Sequence, residues 1–230
     1  MKRLTVALLF ALTACCAFAQ QNQQTTLDDA DRAVPQSKRT VPGLYLNSPE
    51  AYAKWKSDPG NVTIIDVRTP EEYVFVGHLE MAWNIPLELV AYELDGEHWK
   101  LTTKPNPIFL SQVKKVVQTT DTVLVICRSG ARSTAAVNLL AESGFKQVFN
   151  VIDGIEGDKV DDPESVFDGK RMKNGWKNAG LPWTYKVDPA KMPLPSKLQA
   201  AHARSVIPRA GHSLGGRPKR ESRAPLNKGN

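Results

Sequence analysis

The segment from Thr122 to Gly144 decides the fold, and it reads TVLVICRSGARSTAAVNLLAESG. Its opening TVLVI is a short apolar run, which is typical of a strand buried on both faces in a parallel sheet. The stretch after the polar CRSGARS favours a helix, and Gly144 is a good residue to end one. The sequence therefore predicts a strand, a loop and a helix, with Cys127 at the carboxyl end of the strand.

The same alternation of strands and helices extends along the chain. Two further apolar runs, VTIIDV at 62–67 and KQVFNV at 146–151, predict strands. TPEE at 69–72 is a capping box with proline at the first helical position, and two more helices are predicted to start at the caps Ser48 and Asn106. WNIPLELVAYEL is interpreted as extended at first and helical after its proline. This order predicts an α/β fold in which helices cover both faces of a mostly parallel central sheet.

The two ends of the chain differ from its centre. A positive start and the apolar run LTVALLFAL, too short to span a bilayer, are followed by the small residues AFA. We interpret residues 1–19 as a signal peptide rather than a buried helix, 20–44 as a flexible linker and 187–230 as a basic disordered tail. Residues 45–186 remain as the folded domain, which is expected to be periplasmic or secreted.

Cleavage of a signal peptide changes the number of cysteines in the mature chain. Cleavage after Ala19 removes Cys15 and Cys16, so Cys127 is the one cysteine left in the mature chain. An exported compartment favours disulfides, but a lone cysteine cannot form an internal one. Cys127 is therefore a buried bystander or a reactive thiol. The box LTAC, which ends at Cys15, resembles a lipoprotein cleavage site, and its use would tether the protein to a membrane.

The net charge of +6 comes from the tail, because residues 190–230 hold nine Lys or Arg and one acid. The tail lacks interleaved aromatic residues, so no nucleic-acid partner is expected. His98 and His202 have no companions at metal-ligand spacing, and no dinucleotide or phosphate-binding glycine motif occurs. The sequence thus predicts neither a metal nor a cofactor.

The CRSGARS loop combines features that bind anions. The first N–H groups of the following helix point at the loop without helical partners, and the helix dipole is positive there. Arg128 and Arg132 add positive charge, and Gly130 permits a tight turn beside a ligand. These features favour the thiolate form of Cys127 and leave room for an anionic substrate group. A buried cysteine beside solvated arginines is the alternative, but so polar a loop does not suit a buried joint.

CRSGARS resembles the active-site loop of the rhodanese family of sulfurtransferases. IIDVRTPEEYVFVGHLEMAWNIP, at 64–86, resembles the family's strand, Asp-x-Arg pair, acidic helix, Gly-His and Asn-Ile-Pro, and GLPW at 180–183 resembles its closing segment. Several motifs in the family's order are far more specific than one. The resemblance implies a single rhodanese domain over 45–186, with insertions near 95–107 and 153–180.

The resemblance also implies a reaction and residue roles. Rhodaneses take a sulfane sulfur from a donor such as thiosulfate, hold it as a cysteine persulfide and pass it to cyanide or a thiol. Carried over, Cys127 is the nucleophile and persulfide carrier. Asp66 and Arg68 resemble the family's strand-end pair and are assigned a supporting, structural role. The loop that would bind the persulfide consists of Arg128, Ser129, Gly130, Ala131, Arg132 and Ser133.

The arginines and the loop length refine this interpretation. Either Arg128 or Arg132 would neutralise the leaving sulfite, and the second substrate would bring the resolving nucleophile.

The loop length separates this family from a related one. Related dual-specificity phosphatases place five residues between cysteine and arginine, whereas four residues separate Cys127 from Arg132. The narrower loop suits sulfur rather than a phosphate ester, which disfavours a phosphatase or an arsenate reductase.

Two alternatives stay open at this point. The chain is either a sulfurtransferase acting on small sulfur-containing substrates or a non-catalytic periplasmic sulfur carrier or sensor that meets an acceptor protein through its insertions. Steady-state turnover of thiosulfate and cyanide distinguishes them. His78 in GHLE is either a base or, as we prefer, a packing residue.

Overall fold

The structure is a computed structural model that describes residues 34–95 and 98–193. The predicted signal peptide, residues 1–19, and most of the predicted tail lie outside these ranges, as does the first part of the predicted linker. Within the described ranges, every helix is too short or too polar to cross a bilayer.

The elements follow one another in an alternating order. Short 3-10 helices at Gln36–Lys38 and Pro189–Lys191 flank the domain. Between them lie β1 Tyr45–Leu46, α1 Ser48–Ser57, β2 Val62–Asp66, α2 Pro70–Phe75, β3 Trp83–Asn84, β4 Glu88–Asp95, β5 His98–Pro105, α3 Phe109–Val116, β6 Thr122–Ile126, α4 Ala131–Glu142 and β7 Gln147–Val151.

The central sheet confirms the predicted α/β architecture. Its strands have the order β1-β7-β6-β2-β3, and all four neighbouring pairs run parallel. Asp66 at the end of β2 pairs with Ile126 at the end of β6. Because parallel strands end at the same edge, Val67 and Cys127 leave the sheet side by side, and Arg68 follows Val67. Ligand sites of open parallel sheets lie at this edge.

Each face of the sheet has its own apolar core, so helices cover both faces as predicted. On one face, α3 and α4 pack against side chains such as Ile65 and Val125. On the other, α1 packs with Ile64, Leu124 and Trp176. Trp176 is fully buried although it lies in the predicted second insertion. This insertion is therefore part of the core. Truncating a buried tryptophan to alanine costs about 3–5 kcal/mol of stability.

The capping box predicted for α2 is present. The Thr69 hydroxyl accepts a hydrogen bond from the Glu72 N–H, and the Glu72 carboxylate accepts one from the Thr69 N–H. At α1 the cap is Asn47 rather than Ser48, because Asn47 forms the reciprocal pair of bonds with Glu50.

Helix α3 begins at Phe109, three residues after the predicted cap. The Asn106 side chain accepts a hydrogen bond from the Ile108 N–H, but it also donates to Pro86 and to Gln112. Asn106 therefore fastens the end of β5 to the start of the helix instead of capping the first turn.

The helix predicted after Pro86 is wrong. Glu88–Asp95 pairs with His98–Pro105 as an antiparallel hairpin, joined across residues 96 and 97. The apolar residues of LELVAYEL recur at spacings that suit a strand as well as a helix, and pairing with β5 satisfies the backbone groups of β4. The predicted first insertion thus supplies one strand of the hairpin.

Residues 34–43, which we call the N-terminal strap, differ from the predicted flexible linker. Val34 and Lys38 are buried, and the Lys38 ammonium lies 2.7 Å from the Asp158 carboxylate. The Val41 N–H donates to the Asn138 side chain of α4. An ion pair and a buried valine hold the strap, although its polar composition favours a linker.

The first residues of the predicted tail also contact the domain. The Lys191 ammonium donates to the Glu80 carbonyl at 2.8 Å, and the Gln112 amide donates to the Pro193 carbonyl at 2.7 Å. Both contacts join side chains to backbone carbonyls far away in the sequence, which local composition does not reveal.

Candidate active site

Strand β6 delivers Cys127 to the edge of the sheet, at the head of α4. The thiol is free and only 1% exposed. The Gly130 N–H donates to Sγ at 3.2 Å, and the Ser133 hydroxyl lies 3.4 Å from Sγ. The sulfur thus sits in a cradle formed by the loop at the N-terminus of α4, with the Gly130 N–H as its donor, and a negative charge is favoured there.

Two glycines let the loop fold over the sulfur. Gly130 has φ of +93°, and a Cβ there would overlap the Ile152 carbonyl. Gly154 has φ of +64°, and its Cβ would lie 2.6 Å from the Cys127 carbonyl oxygen. The Ile155 N–H donates to that same oxygen at 2.9 Å. The active-site loop is therefore clamped, backbone against backbone, by the segment that follows β7.

A buried network reaches from the sulfur to the N-terminal strap. The Ser133 hydroxyl lies 2.6 Å from Oδ1 of Asn150, at the end of β7. The Asn150 amide donates in turn to Lys38, Gly130 and Thr134. These three acceptors fix the amide so that Oδ1 faces Ser133. Sequence reasoning missed Asn150, and its signal is a polar residue inside the apolar run KQVFNV.

Arg132 is already paired with a carboxylate. Its guanidinium makes two hydrogen bonds of 2.6 Å to Glu72, in the bidentate arrangement that is strongest for these groups. The hydrogen bonds that Arg132 donates to the Glu72 carboxylate raise the pKa of Arg132. Burial alone would raise the pKa of Glu72, but the bonds and charge of Arg132 outweigh it and lower that pKa. The pair is neutral overall at pH 7.

Glu72→Gln is expected to make the stability less dependent on pH at acid pH. Because the folded-state pKa of Glu72 is lowered, its ion pair stabilises the fold above the unfolded-state pKa and is lost as pH falls through the folded-state pKa. The variant should be about 1–2 kcal/mol less stable than wild type at pH 7, and the difference should shrink as the pH falls below the unfolded-state pKa of Glu72. Urea unfolding over a series of pH values measures this. Glutamine can still accept the capping hydrogen bond from the Thr69 N–H. A difference in stability between variant and wild type that did not change with pH would contradict the Glu72–Arg132 ion pair as its cause.

Arg128 differs from Arg132 in having its charge uncompensated. Its side chain is exposed, and within residues 34–95 and 98–193 its guanidinium has no hydrogen-bond or ion-pair partner. Of the two arginines assigned to the site, Arg128 is thus the one free to bind an anion.

Asp66 and Arg68 form a fully buried ion pair beside the site. The Arg68 guanidinium lies 2.8 Å from the Asp66 carboxylate and donates also to the Gly77 carbonyl. Burial would lower the pKa of Arg68, but the charge of Asp66 outweighs it and raises that pKa. The pair ties the end of β2 to the turn after α2, which is a structural role.

His78 lies away from the sulfur. Its ring is buried and stacks on Tyr73 at 3.7 Å between centroids. The ring nitrogens face the carbonyls of Tyr73 and Lys186. The backbone of His78 also pairs with that of Thr184. His78 therefore holds the closing segment in place and does not contact the reacting centre.

A cavity of about 560 Å³ opens beside the active-site loop. The cavity is walled by the loop, by the start of α2 and by the hairpin, through Thr69, Glu71, Glu72, Glu88, Val90, Leu101, Thr102, Thr103, Arg128 and Arg132.

The described part of the chain brings together no group of three or more His, Cys, Asp or Glu that would hold a metal ion.

Comparison with known proteins shows where similar chains occur. The rhodanese-like domain model matches residues 48–160. An uncharacterized protein of Rickettsia prowazekii is 30% identical over 125 residues, which cover 54% of this chain and 85% of that protein. Thiosulfate sulfurtransferase 18 of Arabidopsis thaliana is 39% identical over 89 residues, which cover 38% of this chain and 59% of that protein. The crystal structure of Rv0390 from M. tuberculosis shares 27% identity and covers 62% of this chain and 97% of that one, with a TM-score of 0.49.

Proposed function

This chain belongs to the rhodanese-like domain family, and from that premise we propose that it is a sulfurtransferase that carries sulfane sulfur as a persulfide on Cys127. The observation that carries the proposal is the position of Sγ at the head of α4, where it accepts a hydrogen bond from the Gly130 N–H. The name of the similar Arabidopsis protein, thiosulfate sulfurtransferase 18, supports thiosulfate as the donor.

In the first half-reaction, the Cys127 thiolate attacks the terminal sulfur of thiosulfate. A sulfur–sulfur bond forms to Sγ, the bond between the two thiosulfate sulfurs breaks, and sulfite leaves with the electron pair. Donors from the loop backbone stabilise the persulfide charge. Arg128 neutralises the departing sulfite, because Arg132 is already occupied by Glu72.

In the second half-reaction, an external nucleophile attacks the outer sulfur of the persulfide. The bond between the two sulfurs breaks, its electron pair returns to the Cys127 thiolate, and the acceptor leaves carrying one sulfur. The cycle needs a single cysteine, which agrees with Cys127 being the only cysteine among the described residues.

Mass spectrometry and steady-state assay together test the proposal. Protein incubated with thiosulfate should gain the mass of one sulfur and lose it on addition of cyanide. Thiocyanate should then accumulate over many turnovers. A sulfur carrier without catalytic activity would release no more than one thiocyanate per chain, and absence of any sulfur adduct would refute the proposal.

We also propose that the protein is exported, with cleavage after Ala19. The support is the positive start, the short apolar run and the small residues AFA before Gln20. Intact-mass measurement of the protein purified from its native membrane and soluble fractions should give a chain that begins at Gln20. A lipid-bearing chain that begins at Cys15 would contradict this and place the protein on a membrane.

A further inference from the structure

We propose that Asn150 is a positioning residue for sulfur transfer: it holds the Ser133 hydroxyl so that this group meets the Cys127 thiol as a hydrogen-bond acceptor and not as a donor. The inference rests on the proposed sulfurtransferase function, because it concerns how much of Cys127 is present as the reactive thiolate. It follows from where the protons of the buried network behind the sulfur can go.

The orientation of the Asn150 amide is fixed by the groups around its nitrogen. Nδ2 lies 3.0 Å from the Lys38 carbonyl oxygen, 3.0 Å from the Thr134 hydroxyl and 3.3 Å from the Gly130 carbonyl oxygen. A carbonyl oxygen accepts hydrogen bonds and cannot donate one, so the opposite orientation would place Oδ1 against the Lys38 carbonyl without a proton between the two oxygens. Asn150 is fully buried, where an unmade hydrogen bond is costly. Oδ1 therefore faces Ser133.

Ser133 has a single hydroxyl proton, and the nearest acceptor takes it. Its Oγ lies 2.6 Å from Asn150 Oδ1, 3.0 Å from the Gly130 carbonyl oxygen and 3.4 Å from Cys127 Sγ. A contact as short as that to Oδ1 requires a proton between the two oxygens, and Oδ1 carries none, so Ser133 donates to Asn150. The Ser133 oxygen thus presents a lone pair to Sγ. The thiol form of Cys127 can donate its S–H proton to that lone pair, whereas the thiolate is repelled by it.

The same network makes the N-terminal strap part of the support for the site. The Lys38 carbonyl that fixes Asn150 precedes residues 48–160, the part that the rhodanese-like domain model matches. From Lys38 the contacts run inward through Asn150 and Ser133 to the sulfur, while the Gly130 N–H remains the donor that favours the thiolate. Two opposed contacts thus act on the balance between thiol and thiolate, and Asn150 holds one of them in place.

Single and double variants test this role. The thiolate absorbs in the ultraviolet, so the thiolate-to-thiol ratio at a fixed pH is read from each variant, with Cys127→Ser in the same background as the blank. Ser133→Ala removes the acceptor for the S–H proton and should raise the ratio by about twofold or more. Asn150→Ala releases the hydroxyl to donate to the thiolate. It should raise the ratio by about tenfold over wild type, because hydrogen bonds to charged groups are stronger than those between neutral groups.

The double variant shows whether Asn150 acts through Ser133. In the Ser133→Ala background, Asn150→Ala should change the thiolate-to-thiol ratio no further, since no hydroxyl is left to turn. The pH profile of sulfur loading from thiosulfate should move to lower pH in Asn150→Ala and keep the position of the single variant in the double variant. Equal effects of Asn150→Ala with and without Ser133 would show that Asn150 has a merely structural role.

A matched control separates this role from a loss of fold. Asn106 is a second buried asparagine, which donates to Pro86 and to Gln112, outside the network behind the sulfur. Asn106→Ala should lower the stability in urea unfolding and leave the thiolate-to-thiol ratio unchanged.

Two outcomes distinguish failure of the inference from failure of the proposed function. A ratio that fell in Ser133→Ala would identify Ser133 as a donor to the thiolate and overturn the inference, even if Asn150→Ala did not fold. Absence of a sulfur adduct on wild-type protein, with the expected ratios observed, would refute the proposed function and leave the effect of Asn150 on Cys127 established.

Discussion

Cys127→Ser is expected to abolish sulfur transfer while the fold stays intact. A hydroxyl is far less acidic than a thiol and cannot hold a sulfane sulfur, so neither half-reaction remains. Turnover with thiosulfate and cyanide should fall by more than about a thousandfold. After incubation with thiosulfate, wild-type protein should gain the mass of one sulfur and the variant none.

The fold of this variant is checked separately. Serine fits the space of Cys127 and can accept the hydrogen bond from the Gly130 N–H, so urea unfolding should shift little. Turnover comparable to wild type in a folded Cys127→Ser protein would make the persulfide mechanism untenable.

Gly130→Ala is expected to have the second largest effect, on activity and stability together. The residue has φ of +93°, which costs about 1–3 kcal/mol for a residue with a side chain. The new methyl group would also collide with the Ile152 backbone, so the loop or the segment that follows β7 has to move. We expect a loss of about 2–4 kcal/mol in stability and of at least a hundredfold in kcat/KM for thiosulfate.

Gly144→Ala is the matched control for that prediction. Gly144, which follows α4, has φ of +94°, but a Cβ there meets nothing within 4 Å. The variant therefore isolates the backbone strain, with a loss of about 1–2 kcal/mol in stability and an unchanged kcat/KM. If both glycine variants behaved alike in the activity assay, close packing of the loop against Ile152 would not be what holds the sulfur cradle.

The parallel sheet was predictable because its strands are continuous apolar runs. TVLVI and VTIIDV are buried on both faces, and such runs have few other structural solutions. The hairpin was missed because LELVAYEL suits a strand and a helix equally. Asp95-Gly96 between two strand-like runs is a common hairpin signal, and it could have decided the matter.

Some residues of the candidate active site could likewise be predicted from the sequence, and others could not. Cys127, Gly130 and Ser133 belong to one local strand–loop–helix unit, so a short segment of sequence was enough to place them together. Glu72 and Asn150 come from other elements, 60 and 17 residues away from their partners. Local patterns hold no information on such pairings, which is why the neutralisation of Arg132 and the support of Ser133 emerged only from the structure.

The burial of Cys127 also determines which oxidants can reach it. Thiol–disulfide exchange requires access of the attacking thiolate to a disulfide sulfur. A disulfide inside a folded protein carries backbone on both sides and cannot descend to a sulfur that is 1% exposed beneath its own loop. The proposed donor, thiosulfate, presents a bare terminal sulfur with no backbone beside it. With the export proposed above, this burial would spare Cys127 from disulfide crosslinks with neighbouring proteins in an oxidising compartment.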